Sequence, residues 1–509
     1  MNQSDLPALN VTQRDYFDLS GAQRAIWLDL RLGVNPVAYQ LSGQAKLHGE
    51  IDHALFRQAI SLLLAQHDAL RLRVDVHTPR QWLESAASAP LCIKELAECA
   101  SLDLEVQDIL SSVMPLGEHA LFQFDLLQCE HQASVVVWRI HHLIADLITL
   151  DLIMQRWFDI YNTLLQDSVP ELPDGSSFVS VVMADHMYSA SPQATADLAY
   201  WQRRFDTLPA KLFEQPGSGA QVSFSSQPLT WCMEGAELSR WRSACTRIGI
   251  TDQRVLLALL AVSLSRRQGE MDFAIGLALH GRDFTSKDVI GMLSRALPVR
   301  CQIQPELSLK QTICALSKDL DEDFRHQRTP IDALCRAIGM SGSAHNRLYD
   351  AVMSYRQVPV QIRELRLGQL RIELTGNPML EMTPLSLYVT DIGDERMEFL
   401  LSHDPAVIDA ATCHHAGATL QQVIQAFCES CSMWVSELNV IAPQEQQQLL
   451  QYGCAAQFDL ATFAPTPRLE QQISMQGSAT PQAIAVIDGI DRWTYAELET
   501  RANHRAAQL

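Results

Sequence analysis

The spacing of apolar positions changes several times along the chain, and each change marks an element. From Asp52 to Gln66, Leu55, Phe56, Ala59, Leu62 and Leu63 share one face at helical spacing, which predicts an amphipathic helix. Ala22 to Leu32 reads as a second helix, with Ser20 placed to cap its N-terminus. Ala69 to Val76 alternates apolar and polar residues, as a half-buried strand does. Ala133 to Ile140 (ASVVVWRI) is rich in β-branched residues and predicts a strand. Leu147 to Leu165 is a long helical stretch, and Phe273–Leu279 and Ala351–Tyr355 are further strands. The mixture predicts an α/β fold in two lobes. Periodicity alone does not fix the topology.

Breaks in the pattern mark the joints. Ser168 to Ser177 (SVPELPDGSS) is rich in Pro, Gly and Ser and reads as a connection between lobes. Glu214 to Gln227 reads as a loop. Asn439 to Pro467, Gln-rich early and Pro-rich late, reads as an interdomain linker. Glu445 to Tyr452 predicts a short helix inside it. No internal repeat or low-complexity tract is visible. The expected units are 1–175 and 176–438 as two lobes, 439–467 as the linker, and 468–509 as the start of a further domain.

Composition narrows the function classes. At roughly 150 residues per domain, 509 residues suggest about three units. With 47% hydrophobic and 19% charged residues the chain is not largely disordered. A net charge of −20 makes it a poor non-specific binder of nucleic acid or anionic membrane. Met1 to Pro7 has no basic, signal-like start, and no run reaches the 18 or so apolar residues of a membrane span, so a cytoplasmic location is expected. The cysteines are scattered. Cys428 and Cys431 form a CxxC, but in an apolar segment, Val423 to Leu438, that reads as a helix; idle thiols are expected there. In Cys413-His414-His415 adjacent side chains diverge, so no metal site is expected.

The sharpest local feature is Ile140-His141-His142-Leu143-Ile144-Ala145-Asp146, where a buried strand gives way to a helix. Neighbouring residues leaving a strand point in opposite directions, so one histidine can face a cavity while the other packs inward. An imidazole there can take a proton or hold a reacting amine near neutral pH. Asp146 can cap the following helix or pair with an arginine. A hydrogen-bonded core pair is the plainer reading of the same residues.

Motifs along the chain carry a resemblance. Ser20, Gln23 and Trp27, then Gln66-His67-Asp68-Ala69-Leu70-Arg71, then His141, His142 and Asp146 follow in order. Tyr200-Trp201, Gly276 to Arg282, Ile290-Gly291 with Leu297-Pro298-Val299-Arg300, His326-Gln327 with Pro330-Ile331, and Ala351 to Tyr355 come after them. In this order and spacing, over about residues 15 to 435, the chain resembles the condensation domain of nonribosomal peptide synthetases. The tail, with Thr480 to Val486 and Trp493 to Leu498, resembles the beginning of an adenylation domain. The chain thus looks like a fragment of a larger synthetase, and adenylation activity is not expected of it. Three positions depart from the family pattern: Leu147 stands where glycine follows the signature aspartate, Arg295 where asparagine is usual, and Arg328 where an aspartate follows the His-Gln pair.

The resemblance implies two chloramphenicol-acetyltransferase-like lobes in a V-shaped pseudo-dimer with a tunnel at their junction. It implies amide bond formation between an acyl thioester and the amine of a carrier-bound aminoacyl thioester. His142 would project into the tunnel as the catalytic residue. Active-site support would come from His141 packed behind the loop, from Asp146 paired with Arg71, and from Leu147 in the tunnel floor. No permanent cofactor or metal is implied, since substrates ride on phosphopantetheine arms or coenzyme A. The implied partners are an acceptor peptidyl carrier domain, an acyl-CoA or acyl carrier protein donor, and a downstream adenylation domain. Arg203, Arg204, Arg325 and Arg328 are candidates to dock an acidic carrier or CoA phosphates, beside a reading as solvated surface charge. The opening Gln23-Arg24-Ala25-Ile26-Trp27, with no carrier domain ahead of it, resembles initiating condensation domains that N-acylate a first amino acid. The alternatives are an elongation domain that receives a peptide from a separate polypeptide, and a degenerate module that only recruits partners. A plant-type acyltransferase would carry Asp-Phe-Gly-Trp-Gly, which is absent. An epimerisation domain would follow a carrier domain, and a heterocyclisation domain would place aspartates at the signature.

Overall fold

The structure is a computed structural model that describes residues 15–85, 89–96, 102–129, 134–170, 177–213, 228–340, 348–358, 371–376, 383–453 and 467–508. The predicted loop at 214–227, most of the 168–177 joint and the start at 1–7 lie outside the described residues.

The β-branched run read as a strand forms β7 (Ser134–His141), and every residue of it is buried. It runs antiparallel between β2 (Gln40–His48) and β6 (Phe122–Cys129) in a five-stranded sheet. The sheet is completed by β5 (Leu91–Leu96), parallel to β6, and by β12 (Arg371–Gly376), antiparallel to β2. Helices His53–Gln66 and Leu147–Leu165 pack against one another beside it. Phe56 and Phe124 each meet Trp157 at 4.6 Å between ring centroids, so aromatic packing anchors this first core.

A second, six-stranded sheet has the order β10 (Arg295–Gln302), β9 (Asp272–Leu279), β11 (Ala351–Gln357), β13 (Leu385–Asp391), β14 (Arg396–His403), β8 (Leu229–Glu234). Here β11 runs parallel to both β9 and β13, and the other pairings are antiparallel. Helix Asp252–Gln268 buries every residue from Val255 to Ser265, because it lies between neighbouring helices in the second core rather than at its edge. The fold class expected from sequence, α/β with two sheet-centred halves, is what the chain adopts.

The boundary between the halves is not a single cut in the chain. β12 supplies an edge strand to the first sheet, and Val289, Ile290, Met292 and Leu293 pack into the first core. Phe178 and Val182, from helix Phe178–Ser189, do the same. Parts of the 176–438 range therefore complete the first half. The chain divides into separate compact units only between Ala442 and Pro443.

Two local expectations need correction. Ala69–Val76 is not one half-buried strand. Asp68–Arg71 is a 3₁₀ turn, and β3 (Leu72–Val74), buried throughout, pairs with β4 (Arg80–Leu83), which pairs in turn with β1 (Phe17–Asp18) in a small sheet of their own. Likewise the helix carrying Cys428 spans Ala410–Glu429 and ends before Cys431. The reason is tertiary: the Cys431 and Met433 carbonyls accept the Lys310 and Leu309 amides, so this stretch pairs with the start of helix Leu309–Arg325. Cys428 and Cys431 are free thiols, whereas Cys129 is disulfide-bonded. Among the described residues no group of three or more His, Cys, Asp or Glu could hold a metal ion. No single helix there is long and apolar enough to cross a membrane.

Residues 443–509 form the second unit. Its first helix, Pro443–Gly453, fulfils the short helix expected in the linker. Further on, helix Leu469–Ala479 is followed by the hairpin β15 (Ile484–Asp488) and β16 (Asp491–Thr494) and by helix Tyr495–Ala506. Thr494 and Glu497 form a capping box at the start of that last helix.

Candidate active site

The histidine pair sits at the end of β7, where both backbones are fixed from opposite sides. The His141 amide donates to the Leu121 carbonyl, 2.7 Å away, and the His142 amide to the Tyr39 carbonyl at the same distance. Alternation along the strand then sends the two side chains apart. His141 is fully buried, and its Nδ1 accepts the Leu143 amide at 3.1 Å. Burial, with His142 alongside, pushes its pKa down to about 3, so its ring is neutral.

His142 instead lines a cavity of about 2090 Å³. Its Nδ1 is buried without a hydrogen bond among the described residues, which leaves Nε2 as the ring atom that can meet a substrate. Burial lowers its pKa, opposed by the Asp146 carboxylate and by backbone groups of His142 and Ala145. The ring is therefore neutral at physiological pH and available as a base. The cavity is walled from both halves: Tyr39 and Leu41 come from the first, His280, Val352 and Ser354 from the second.

Asp146 closes the loop and starts the next element. Its Oδ1 accepts the Thr149 amide at 2.8 Å, capping helix Leu147–Leu165. Its Oδ2 accepts from Arg282 at 2.7 Å and from the Leu293 and Ser294 amides at 3.1 and 3.0 Å. Arg282 also donates to the Thr149 hydroxyl at 2.8 Å, and that hydroxyl donates to the Gly291 carbonyl at 2.7 Å. The carboxylate thus caps a helix and pairs with an arginine at once, but the arginine is not the expected one. Arg71 donates to the Glu84 carbonyl, 3.3 Å away, on the β3–β4 ribbon. The Asp146 partner comes from the other half of the domain, so the ion pair ties the halves together beside His142.

Two glycines make that junction possible. Gly281 has φ +65, and a Cβ there would lie 2.0 Å from the Leu293 carbonyl oxygen. A Cβ on Gly291 would lie 2.1 Å from the Phe178 ring. Leu147, the first residue of its helix, lines the cavity where the family pattern has glycine.

The remaining motifs act as scaffold. Gln23 is fully buried, completes a capping box with Ser20, and donates to the Leu143 carbonyl at 2.9 Å, holding the histidine loop. Trp201 donates to the His326 carbonyl at 2.9 Å, and Tyr200 stacks on the His326 ring with centroids 4.0 Å apart. His326 in turn meets Asp197 at 2.8 Å. Of the proposed docking arginines, Arg204 is engaged inside the protein, with Asp319 at 3.0 Å and Asp323 at 3.5 Å. Arg325 pairs with Glu322, Arg203 is exposed, and Arg328 lines the cavity. Sequence reasoning placed Arg282 in a motif without giving it a role. The signal available was a glycine-arginine pair just after a buried strand.

Comparison with known proteins gives the family. Residues 13–450 match the condensation-domain family. Tyrocidine synthase 3 of Brevibacillus parabrevis is 22% identical over 98% of this chain and 8% of its own length. Enterobactin synthase component F of Escherichia coli O157:H7 is 26% identical over 95% of this chain and 37% of its own. The chain therefore spans only a fraction of the curated relatives it matches. Among solved structures, the starter condensation domain of rhizomide synthetase superposes with a TM-score of 0.70 at 22% identity, covering 84% of this chain and 100% of that one. The X-domain from teicoplanin biosynthesis superposes at 0.72 and 19% identity, over 84% and 98%. With the family matched over most of its length, this chain belongs to the condensation domains of nonribosomal peptide synthetases, the acyltransferases that form their amide bonds.

Proposed function

We propose that this chain is a starter-type condensation domain, which N-acylates a carrier-bound aminoacyl thioester with an acyl group from acyl-CoA or an acyl carrier protein. The observation that carries the reading is His142: a neutral imidazole facing a cavity walled by both halves, on a loop locked by the Asp146–Arg282 pair. The likeness to a starter condensation domain supports the subtype. The amine nitrogen attacks the thioester carbon, the C–N bond forms, and the C–S bond breaks. His142 accepts the proton lost by the nitrogen and returns it to the departing thiolate. An α-amine has a pKa near roughly 8, so a fair fraction is already neutral at about pH 7. Positioning in the cavity then carries much of the rate, with proton transfer adding about 10²–10⁴-fold.

Substrates on phosphopantetheine arms or coenzyme A suit this site without a resident cofactor. The second unit reads as the start of an adenylation domain, supported by a synthetase relative that matches 98% of the chain. A cytoplasmic location and an acceptor carrier domain as partner go with that reading.

One observation favours a non-catalytic alternative. The teicoplanin X-domain, solved in a complex with OxyB, superposes with a TM-score of 0.73, so a domain of this fold can bind a protein partner. An intact-mass assay separates the readings. The protein is mixed with an aminoacyl carrier and a panel of acyl-CoAs, acyl carriers and a peptidyl carrier. Acylation from CoA or acyl carrier supports the starter reading, transfer from the peptidyl carrier alone supports elongation, and no transfer from any donor supports recruitment.

A further inference from the structure

Two arginines that depart from the family pattern, Arg295 and Arg328, line the same cavity as His142. The aspartates around that cavity each hold an ion pair or hydrogen bond to another group. Asp146 is taken by Arg282, Asp252 by Arg242, and Asp332 by Arg24 and Arg336. Asp29 accepts the Tyr39 hydroxyl, Asp185 the Gly21 amide at 2.8 Å, and Asp283 the Thr285 and Ser286 groups of its own turn. Arg295 makes no ion pair or hydrogen bond among the described residues, and its Nε is buried without a partner there. Among the described residues Arg328 has only the Ala184 carbonyl, 3.3 Å away, and the face of the Tyr188 ring, 4.0 Å from its guanidinium. Asp185 is the carboxylate that acts on Arg295, and it faces two guanidiniums, Arg295 and Arg328, so this part of the cavity wall carries a net positive charge.

Such an arrangement costs stability. Burial and the neighbouring Arg328 charge both disfavour the protonated form of Arg295, and the Asp185 carboxylate offsets them only in part. Arg295 is half-buried with its Nε enclosed, and a guanidinium partly withdrawn from water gains from an anion that completes it. Position narrows the choice of anion. Arg295 opens β10, immediately after Leu293 and Ser294, whose amides hold the Asp146 carboxylate of the histidine loop. It thus leaves directly from the segment that holds the histidine loop and lines the same cavity as His142, a place open to an acyl or aminoacyl group.

We propose that Arg295, assisted by Arg328, is a specificity-determining site for a carboxylate on the substrate: a dicarboxylic acyl donor or an acidic aminoacyl acceptor. The proposal deepens the acyltransferase reading and rests on it for the identity of the substrate. A guanidinium presents paired N–H donors that match a carboxylate, and the Arg328 charge strengthens the field around it.

The test uses the whole chain and N-acetylcysteamine thioesters, which carry no phosphate. Binding of succinyl is compared with butanoyl, and aspartyl with asparaginyl, by calorimetry. Condensation of the same pairs is followed by mass spectrometry. The expected result is a preference of about tenfold or more for the carboxylate in one of the two pairs. Arg295→Asn should erase that preference, Arg295→Lys should retain part of it, and Arg328→Asp should weaken it. Equal binding within both pairs, or an unchanged ratio in Arg295→Asn, overturns the proposal, as does dependence on Arg295 seen only with CoA thioesters. Condensation of the neutral pairs with no carboxylate preference sinks the subsite and leaves the enzyme standing. Carboxylate binding that needs Arg295 without any condensation does the reverse.

Discussion

Arg282 and Arg295 lie thirteen positions apart, line one cavity, and have opposite surroundings. Arg282 is nearly buried and both of its terminal nitrogens are employed: they donate to the Asp146 carboxylate, the Thr149 hydroxyl and the His280 and Val289 carbonyls. Among the described residues Arg295 has neither a carboxylate nor a carbonyl partner. The same side-chain chemistry is therefore structural in one place and available to a ligand in the other. What separates them is whether the protein supplies the acceptors.

That contrast can be broken at its strong end first. His142 depends on the loop that Arg282 and Asp146 hold, yet contributes few bonds of its own. His142→Ala should cut acyl transfer by about 10²–10⁴-fold and leave the melting temperature nearly unchanged. Full residual turnover would remove the proton-transfer role. Because burial holds the His142 pKa below the ordinary 6.5, protonation silences the ring only under more acidic conditions. Rate against pH should fall below about 8 as the amine protonates, then more steeply somewhere below roughly 6.5 as His142 does. In His142→Ala the second, steeper limb should be missing.

Asp146→Ala works in the opposite sense, on stability before chemistry. It leaves Arg282 buried and unpaired, uncaps helix Leu147–Leu165, and strands the Leu293 and Ser294 amides. A loss of about 3–5 kcal/mol is expected from the broken buried pair. A chemical-denaturation midpoint equal to that of His142→Ala would refute the tie between the halves. Arg71→Ala, which spares this network, should cost clearly less. Arg295→Asn is the counterpart: it removes a half-buried charge that makes no hydrogen bond or ion pair among the described residues, so the unliganded protein should be as stable as the parent or slightly more so. A destabilisation matching that of Asp146→Ala would mean that Arg295 has a structural partner after all.

Sequence reading found the elements whose signal is local. Helix Leu147–Leu165 and β7 were legible because each carries its period within its own residues. The placement of His142 against His141 was legible too, since strand alternation separates neighbours whatever the rest of the fold does. The partner of Asp146 was not. Arg71 and Arg282 both fit the chemistry, and only the crossing of residues 281–294 into the first half brings the second one close, 136 positions along the chain. β12 escaped for the same reason: it pairs with the edge of a distant sheet, and nothing in its own six residues says so. The departures Arg295 and Arg328 were visible as isolated substitutions, but their shared cavity was not.

The smallest expected effect concerns Leu147, which differs from both arginines in being uncharged and in occupying space rather than supplying a bond. Its side chain lines the cavity at the first position of a helix whose cap is fixed by Asp146. Leu147→Gly removes apolar volume there and loosens the first helical turn, at a cost of about 1 kcal/mol or less in helix propensity. If the leucine narrows the substrate path, the variant should accept longer or bulkier acyl groups, with little change for short ones. The readout is the ratio of rates for a long and a short acyl thioester in parent and variant. An unchanged ratio would show that the side chain only borders the cavity. Selectivity at this site would then rest on charge at Arg295 rather than on shape at Leu147.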